Sequence, residues 1–155
     1  MKIEFLFVGK TTEKYLQSGV DLYLKRINHY LPAVISEIPS ALKAGTRANA
    51  LQKESDIINK KITAKDFVVV LDENGKEFSS VELSAFMNKA MVNSTSKIVF
   101  IIGDAYGIPE PVSRRANLVL SFSKFTMTHQ MIRIFLLEQI YRAMTILNNE
   151  PYHHA

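Results

Sequence analysis

The sequence contains no cysteine, which excludes a disulfide framework, a thiolate metal site and a cysteine nucleophile, and fits a reducing compartment. Long apolar runs are missing too, so no segment reads as membrane-spanning. The opening "MKIEFLFVGK" is apolar for only a few residues, is broken by Glu4 and lacks a small-residue cleavage site. It therefore reads as a strand and not as a signal peptide. The turn after that strand, "VGKTTE", lacks the G-x-G-x-x-G pattern that brings pyrophosphate against backbone, which disfavours an ordinary dinucleotide fold. No linker, repeat or low-complexity stretch divides the chain, and residues 1–155 are expected to form one domain.

The residues that are present fit a globular protein. Of 155 residues, 47% are hydrophobic and 22% charged, enough for a core that stands unaided. The net charge of +4, with Lys and Arg spread along the chain, suits a nucleic-acid partner and an ordinary basic enzyme equally. Five runs rich in Val, Ile, Leu and Phe begin at Lys2, Ala33, Phe67, Lys97 and Asn117. The third and fourth are almost continuously apolar, as parallel strands covered on both faces are. Helix-period segments separate them. Leu16, Val20, Tyr23, Ile27 and Leu31 form one stripe; Leu51, Ile58 and Ile62 form a weaker one within 48–62. Ser79 and Glu82 have capping-box spacing ahead of Leu83, Phe86, Met87 and Met91, and "IPEPVSRRAN" reads as a short helix with Pro109 or Pro111 near its first turn. The last helix is expected from about Thr128 to Asn148. This alternation predicts an α/β fold, a mainly parallel sheet of five to six strands with helices on both faces.

In such sheets ligands bind beyond the carboxyl ends of the strands. Three loops there carry candidate chemistry: "LDENGK" from Leu71, "IIGDAYGIPEP" from Ile101 and "SFSKFTMTHQ" from Ser121. Gly103 and Gly107 permit positive φ or close approach of backbone to a ligand, and equally a tight strand-to-helix turn. Asn74-Gly75 reads as a turn. His129, placed in the first turn of the last helix, is expected neutral near the free N–H groups.

The last helix carries one apolar stripe, Ile132, Leu136, Leu137, Ile140, Ala143, Met144 and Leu147, with Ile134, Phe135, Tyr141 and Ile146 on other faces. One sheet does not bury them all, which points to a second partner, most simply a homodimer, unless the helix is enclosed by its own chain. Arg133, Gln139 and Arg142 interrupt it. Glu138 and Arg142 have pairing distance, and an arginine facing a pocket would hold a carboxylate or phosphate. The ending "NEPYHHA" reads by itself as a tail.

Together, "IIGDAYG", "LSFSKFTMTHQMIRIFLLEQIYRA" and the terminal "YHHA" resemble the smallest SPOUT (α/β-knot) methyltransferases, the RlmH family of bacterial 23S ribosomal RNA pseudouridine N3-methyltransferases. The resemblance covers the whole chain and is most specific from Leu120 to Ala143. It implies a cytoplasmic homodimer with a C-terminal trefoil knot, a feature that ordinary folds essentially lack. It also implies S-adenosylmethionine as methyl donor, without a metal, and the assembled ribosome as substrate. By the same resemblance, cofactor contacts fall on Leu71, Gly103, Phe122, Ser123, Lys124, Phe125, Thr126 and Met127. Three positions depart from the family pattern: Asp104 stands where a second glycine is common, and Thr128 where a proline is. His154 replaces the usual Arg or Lys after Tyr-His.

For such a reaction His153 is the first candidate to take or orient the imide proton, with Tyr152 supporting it and Arg142 stabilising the anion or binding phosphate. The tail of one subunit would reach the cofactor pocket of the other. Lys10, Lys14, Lys25, Arg26, Lys43 and Arg47 are candidate phosphate contacts. A non-catalytic ribosome-binding dimer and a flavodoxin-like small-molecule binding module are the rival readings.

Overall fold

The computed structural model describes residues 1–41 and 45–154; Lys43 lies outside the described residues. The five hydrophobic runs form β1 (Lys2–Val8), β2 (Ala33–Ile38), β3 (Phe67–Glu77), β4 (Lys97–Ile102) and β5 (Leu118–Ser121). They make one sheet in the order β2-β1-β4-β3-β5, with every neighbouring pair parallel. Alternation along the strands divides the core. Phe5, Phe7, Val69, Phe100 and Ile102 face one side; Leu6, Val8, Val68, Val70, Val99 and Ile101 face the other. Fully burying each such side chain is worth about 1.5–3 kcal/mol, which is why both faces need cover.

Three helices cover the first side: α1 (Lys14–Ile27), α3 (Ser80–Val92) and α5 (Met131–Leu147). The second side carries α2 (Arg47–Lys61) and α4 (Glu110–Arg115), through Ile58 and Val112. Local chemistry sets their starts. The Ser79–Glu82 capping box forms as its spacing predicts, Thr46 accepts from the backbone of Asn49 at the head of α2, and α4 starts after Pro109 with Pro111 in its first turn. On α2 the buried face is Ala50, Glu54, Ser55 and Ile58, so the weak apolar stripe of this helix conceals a buried carboxylate.

Three expectations are corrected. Residues Asn74-Gly75 do not close a simple turn. Strand β3 leaves its partner after Leu71 and rejoins it at Lys76, both opposite Leu120, so four residues bulge outward. Gly75 is required because a Cβ there would lie 2.6 Å from the Leu120 carbonyl carbon. Second, α5 begins at Met131, and His129 precedes it. The Gln130 side chain is drawn away to accept the backbone N–H groups of Thr12 and Glu13 at 2.9 and 3.2 Å, while Thr128 Oγ1 accepts the Met131 N–H. Third, the chain end is docked and not a free tail. The Tyr152 ring meets Tyr141 edge-on at 4.7 Å, and the Glu150 carboxylate accepts from the Tyr30 hydroxyl.

Helix α5 lies between α1 and α3, so its own chain covers much of its apolar circumference. Gly19 on α1 makes room for Ile134, whose Cδ1 would stand 2.1 Å from an added Cβ, and Tyr141 packs against Tyr23 and Tyr30. Phe135 remains 44% exposed, as are Tyr15 (67%) and Leu22 (46%) on neighbouring α1. The Glu138–Arg142 pair forms, with Nη2 2.5 Å and Nε 3.1 Å from Oε1.

Candidate cofactor cleft

At the carboxyl ends of β3, β4 and β5 the three loops enclose a cleft of about 700 Å³, within the range of small-molecule sites. Leu71, Gly103, Phe122, Ser123, Phe125, Thr126 and Met127 all line it. Lys124 does not; it borders an adjoining depression with Glu73, Asn74, Gly75, Glu77 and Thr126. Thus seven of the eight residues assigned by resemblance converge on one surface, although they come from three separate loops.

Each wall has a local cause. After β4 the chain reverses through Gly103–Gly107, where the Gly107 N–H donates to the Asp104 carbonyl at 3.0 Å and Gly107 takes φ +83°. A Cβ on Gly103 would stand 2.2 Å from the Gly107 carbonyl oxygen. No side chain fits there, and backbone is left bare to the cleft. The tight-turn reading of these glycines is the one this geometry carries, and both glycines also border the cleft. After β5, Ser121 Oγ donates to the Ser123 carbonyl and Ser123 Oγ accepts the Phe125 N–H, so the hydroxyls fold the loop upon itself. The Phe125 ring is 83% exposed at the mouth.

Sequence reasoning missed part of the lining. Asp72 and Glu73, which it did not single out, join Asp104 on an acidic side of the cleft, and Arg47, Tyr106, His129 and Ile132 also line it. Arg47 donates to the Tyr106 carbonyl at 3.3 Å and sits over its ring, which occupies its guanidinium. The signal was available in the bulge "LDENG", where Asp72 Oδ1 accepts the Asn74 N–H. His129 is held below the ordinary imidazole value, by burial first and Arg133 second, with Asp104 opposing. The neutral form was expected, but from helix N–H groups.

Arg133 does not face the cleft. It is fully buried and donates to the Val8 carbonyl and Thr11 Oγ1 at 2.7 and 2.9 Å, over the Phe7 ring. Tyr152, His153 and Arg142 are likewise absent from the cleft lining and cluster on the later part of α5. Arg142 Nη1 lies 3.5 Å from His153 Nδ1, and the Tyr152 hydroxyl donates to Glu138 Oε1 at 3.1 Å while lying 3.4 Å from the Tyr23 hydroxyl. Burial first, then Tyr23 and Glu138, raise the Tyr152 phenol above its ordinary value, so it stays neutral and acts as a hydrogen-bond partner, not a base. Glu138 raises the Arg142 guanidinium. Eleven helical residues at 1.5 Å each place Arg142 about 16 Å along the axis from Met131 at the cleft end.

A parallel sheet with a glycine-turned, acid-lined cleft over its last three strands defines the class. The chain belongs to the SPOUT methyltransferase family, matching the family described as "Predicted SPOUT methyltransferase" over residues 1–153. It is 43% identical, over 99% of both chains, to the "Ribosomal RNA large subunit methyltransferase H" of Parabacteroides distasonis. With the protein of the same name from Geobacter metallireducens it shares 45% identity over 100% of both. A solved structure of a probable methyltransferase from Bordetella pertussis shares the fold at TM-score 0.58 and 9% identity, covering 92% of this chain and 93% of that one. Among the described residues no helix is long and apolar enough to cross a membrane.

Proposed function

We propose that the protein transfers a methyl group from S-adenosylmethionine to N3 of a pseudouridine in large-subunit ribosomal RNA, in the cytoplasm and on the assembled ribosome. The observation that carries this reading is the convergence of Leu71, Gly103 and the 122–127 loop on one acid-lined cleft. S-adenosylmethionine is the donor that membership in the family implies, and the residues fit it. Gly103 lines the cleft with backbone, Leu71, Phe122 and Met127 offer apolar cover for a purine, and Asp72, Glu73 and Asp104 suit a cationic ligand. The same carboxylates disfavour a phosphate-bearing flavin or mononucleotide, which weighs against the flavodoxin-like alternative. When bound, the donor supplies an electrophilic methyl for in-line displacement. The residues of this chain would bind, align and exclude water.

The tail completes the site from a second subunit. Within one chain Tyr152, His153 and Arg142 stand apart from the cleft, whereas the exposed Tyr15, Leu22 and Phe135 offer an apolar face for a second copy. In the dimer, His153 would orient or take the N3 proton and Arg142 would face the developing imide charge. The knotted path is part of this proposal. Strand β5 lies beyond β3 at the sheet edge while α5 returns to pack between α1 and α3, so the 122–130 link crosses the ends of β3 and β4, where the β3–α3 link also leaves.

Purified protein, S-adenosylmethionine and ribosomes from a strain lacking the gene should yield one added methyl on a large-subunit pseudouridine, read by mass spectrometry of digested RNA. Tight ribosome binding with no methyl transfer would instead establish the non-catalytic dimer.

A further inference from the structure

Glu54 on α2 has no solvent exposure. Its Oε1 accepts the Ala41 N–H at 2.7 Å, whereas Oε2 is buried and has no donor. Asp104, only 6% exposed and in the turn that walls the cleft, is the carboxyl group that acts on it, and the consecutive residues Ser40 and Ala41 hold the two side chains, Ser40 bonding Asp104 and Ala41 bonding Glu54. Asp104 is anchored on both oxygens, Oδ2 accepting from Ser40 Oγ at 2.7 Å and Oδ1 from the Tyr106 N–H at 2.8 Å. Among the described residues no Lys or Arg forms an ion pair with either group. Two neighbouring buried carboxylates repel when both are ionised, and a single proton turns that repulsion into a hydrogen bond.

We propose that Glu54 is a positioning residue: it shares one proton with Asp104, and that bond fastens the Gly103–Gly107 turn of the cofactor cleft to α2. The inference rests on the reading of this cleft as the donor site. It explains why a carboxyl side chain occupies the buried stripe of α2, and gives a role to the buried Asp104 carboxylate. The pair's proton is lost near neutrality. Burial raises the Glu54 carboxyl most, the Ala41 N–H opposes, and Asp104 adds to the rise, bringing it to about 7. From the α5 side the charged and titratable neighbours of Asp104 are His129 and, behind it, Arg133; His129 is depressed below its ordinary value and stays neutral above pH 7. Arg47, on the same helix as Glu54, is directed to the Tyr106 carbonyl. Loss of the shared proton therefore loosens the turn, and donor affinity declines as pH rises.

Two measurements on the full-length protein test this: a carbon-13 NMR titration of the carboxyl carbons, and calorimetry with S-adenosylmethionine from about pH 6 to pH 9. The Glu54 carbon should titrate near 7, and donor affinity should weaken above it toward roughly tenfold per pH unit, the limit for one linked proton. Glu54→Gln, whose amide still donates to Asp104, should keep the affinity seen at pH 6 and lose the pH dependence; Glu54→Ala should bind more weakly throughout. A Glu54 carbon that titrates in the ordinary carboxylate range, or a Glu54→Gln protein with the wild-type pH slope, overturns the proposal. Failure of the donor to bind at any pH would reject the cleft assignment instead, and the carbon-13 titration would still decide the shared proton.

Discussion

Arg133 Nη2 donates to the carbonyl oxygen of Val8, 2.7 Å away, so a guanidinium from the last helix caps the end of the first strand. Its Nη1 reaches Thr11 Oγ1, and burial lowers its proton affinity. Arg133→Leu should strand both acceptors and lower stability by about 2–3 kcal/mol in urea unfolding. Arg133→Lys should recover little of it, because one ammonium does not reproduce the two-armed fork. Wild-type stability in the Leu variant would show that the contact contributes nothing.

Gly103→Ala places a methyl where the Gly107 carbonyl stands at 2.2 Å. That neighbour is backbone and cannot rotate away, so the turn must shift. S-adenosylmethionine affinity should drop at least about tenfold, roughly 1.4 kcal/mol, in calorimetry. An unaltered Kd would remove Gly103 from the site.

Removal of residues 151–155 should abolish methyl transfer while leaving donor affinity within about twofold, since the tail is absent from the cleft lining. The sharper experiment mixes two inactive proteins, the truncated chain and a Gly103→Arg chain. If the tail serves its partner's cleft, mixed dimers regain one working site and activity returns; continued inactivity of verified heterodimers would count against a shared site.

Phe125→Ala should leave donor binding intact and raise KM for ribosomes, because its ring is 83% exposed at the cleft mouth and free to stack on a base. Such stacking is worth about 1–3 kcal/mol. Equal loss of donor affinity would place the ring against the cofactor instead.

The two ends of the sheet respond to pH with opposite signs. At the amino end Lys97 Nζ bonds Glu4 and Asp66 at 3.1 and 3.0 Å. Burial opposes ionisation of both carboxyls, but hydrogen bonds from Ser36, the Thr63 backbone and Lys97 hold them below their ordinary values. Their contribution is present above the ordinary carboxylate range and is lost as pH falls through the lowered values. Glu54 is raised, so its contribution is full below the ordinary carboxylate value and disappears as pH rises through about 7. Urea midpoints across pH 3 to 9 should therefore peak in mildly acid solution. Lys97→Met, which frees Glu4 and Asp66 to rise toward or above their ordinary values, should lower stability above the carboxylate range and flatten the acid limb, and Glu54→Gln should flatten the limb near neutrality.

Strands and helices were legible because each rests on local pattern. Continuous apolar runs mark strands covered on both faces, and Ser79 with Glu82 marks a helix start whatever surrounds it. The loops that line the cleft could be located in the same way, since the carboxyl ends of parallel strands are fixed by strand order along the chain. Seven of the eight residues named by resemblance do line one cleft. The four-residue bulge at Asp72–Gly75 escaped because it exists only against the backbone of Leu120, a distant neighbour in sequence.

By itself, then, the sequence determined the period of each element, the α/β class, the glycine-hinged turn after the fourth strand and the family. Tertiary structure alone decided that α5 is enclosed between α1 and α3, that Arg133 serves the first strand, that Tyr152 docks upon Tyr141, and that the Glu54 carboxyl is buried. The physical reason is range. Propensity, capping and periodicity act over a few residues, whereas burial of a charge and its pairing depend on which distant segments the folded chain brings into contact.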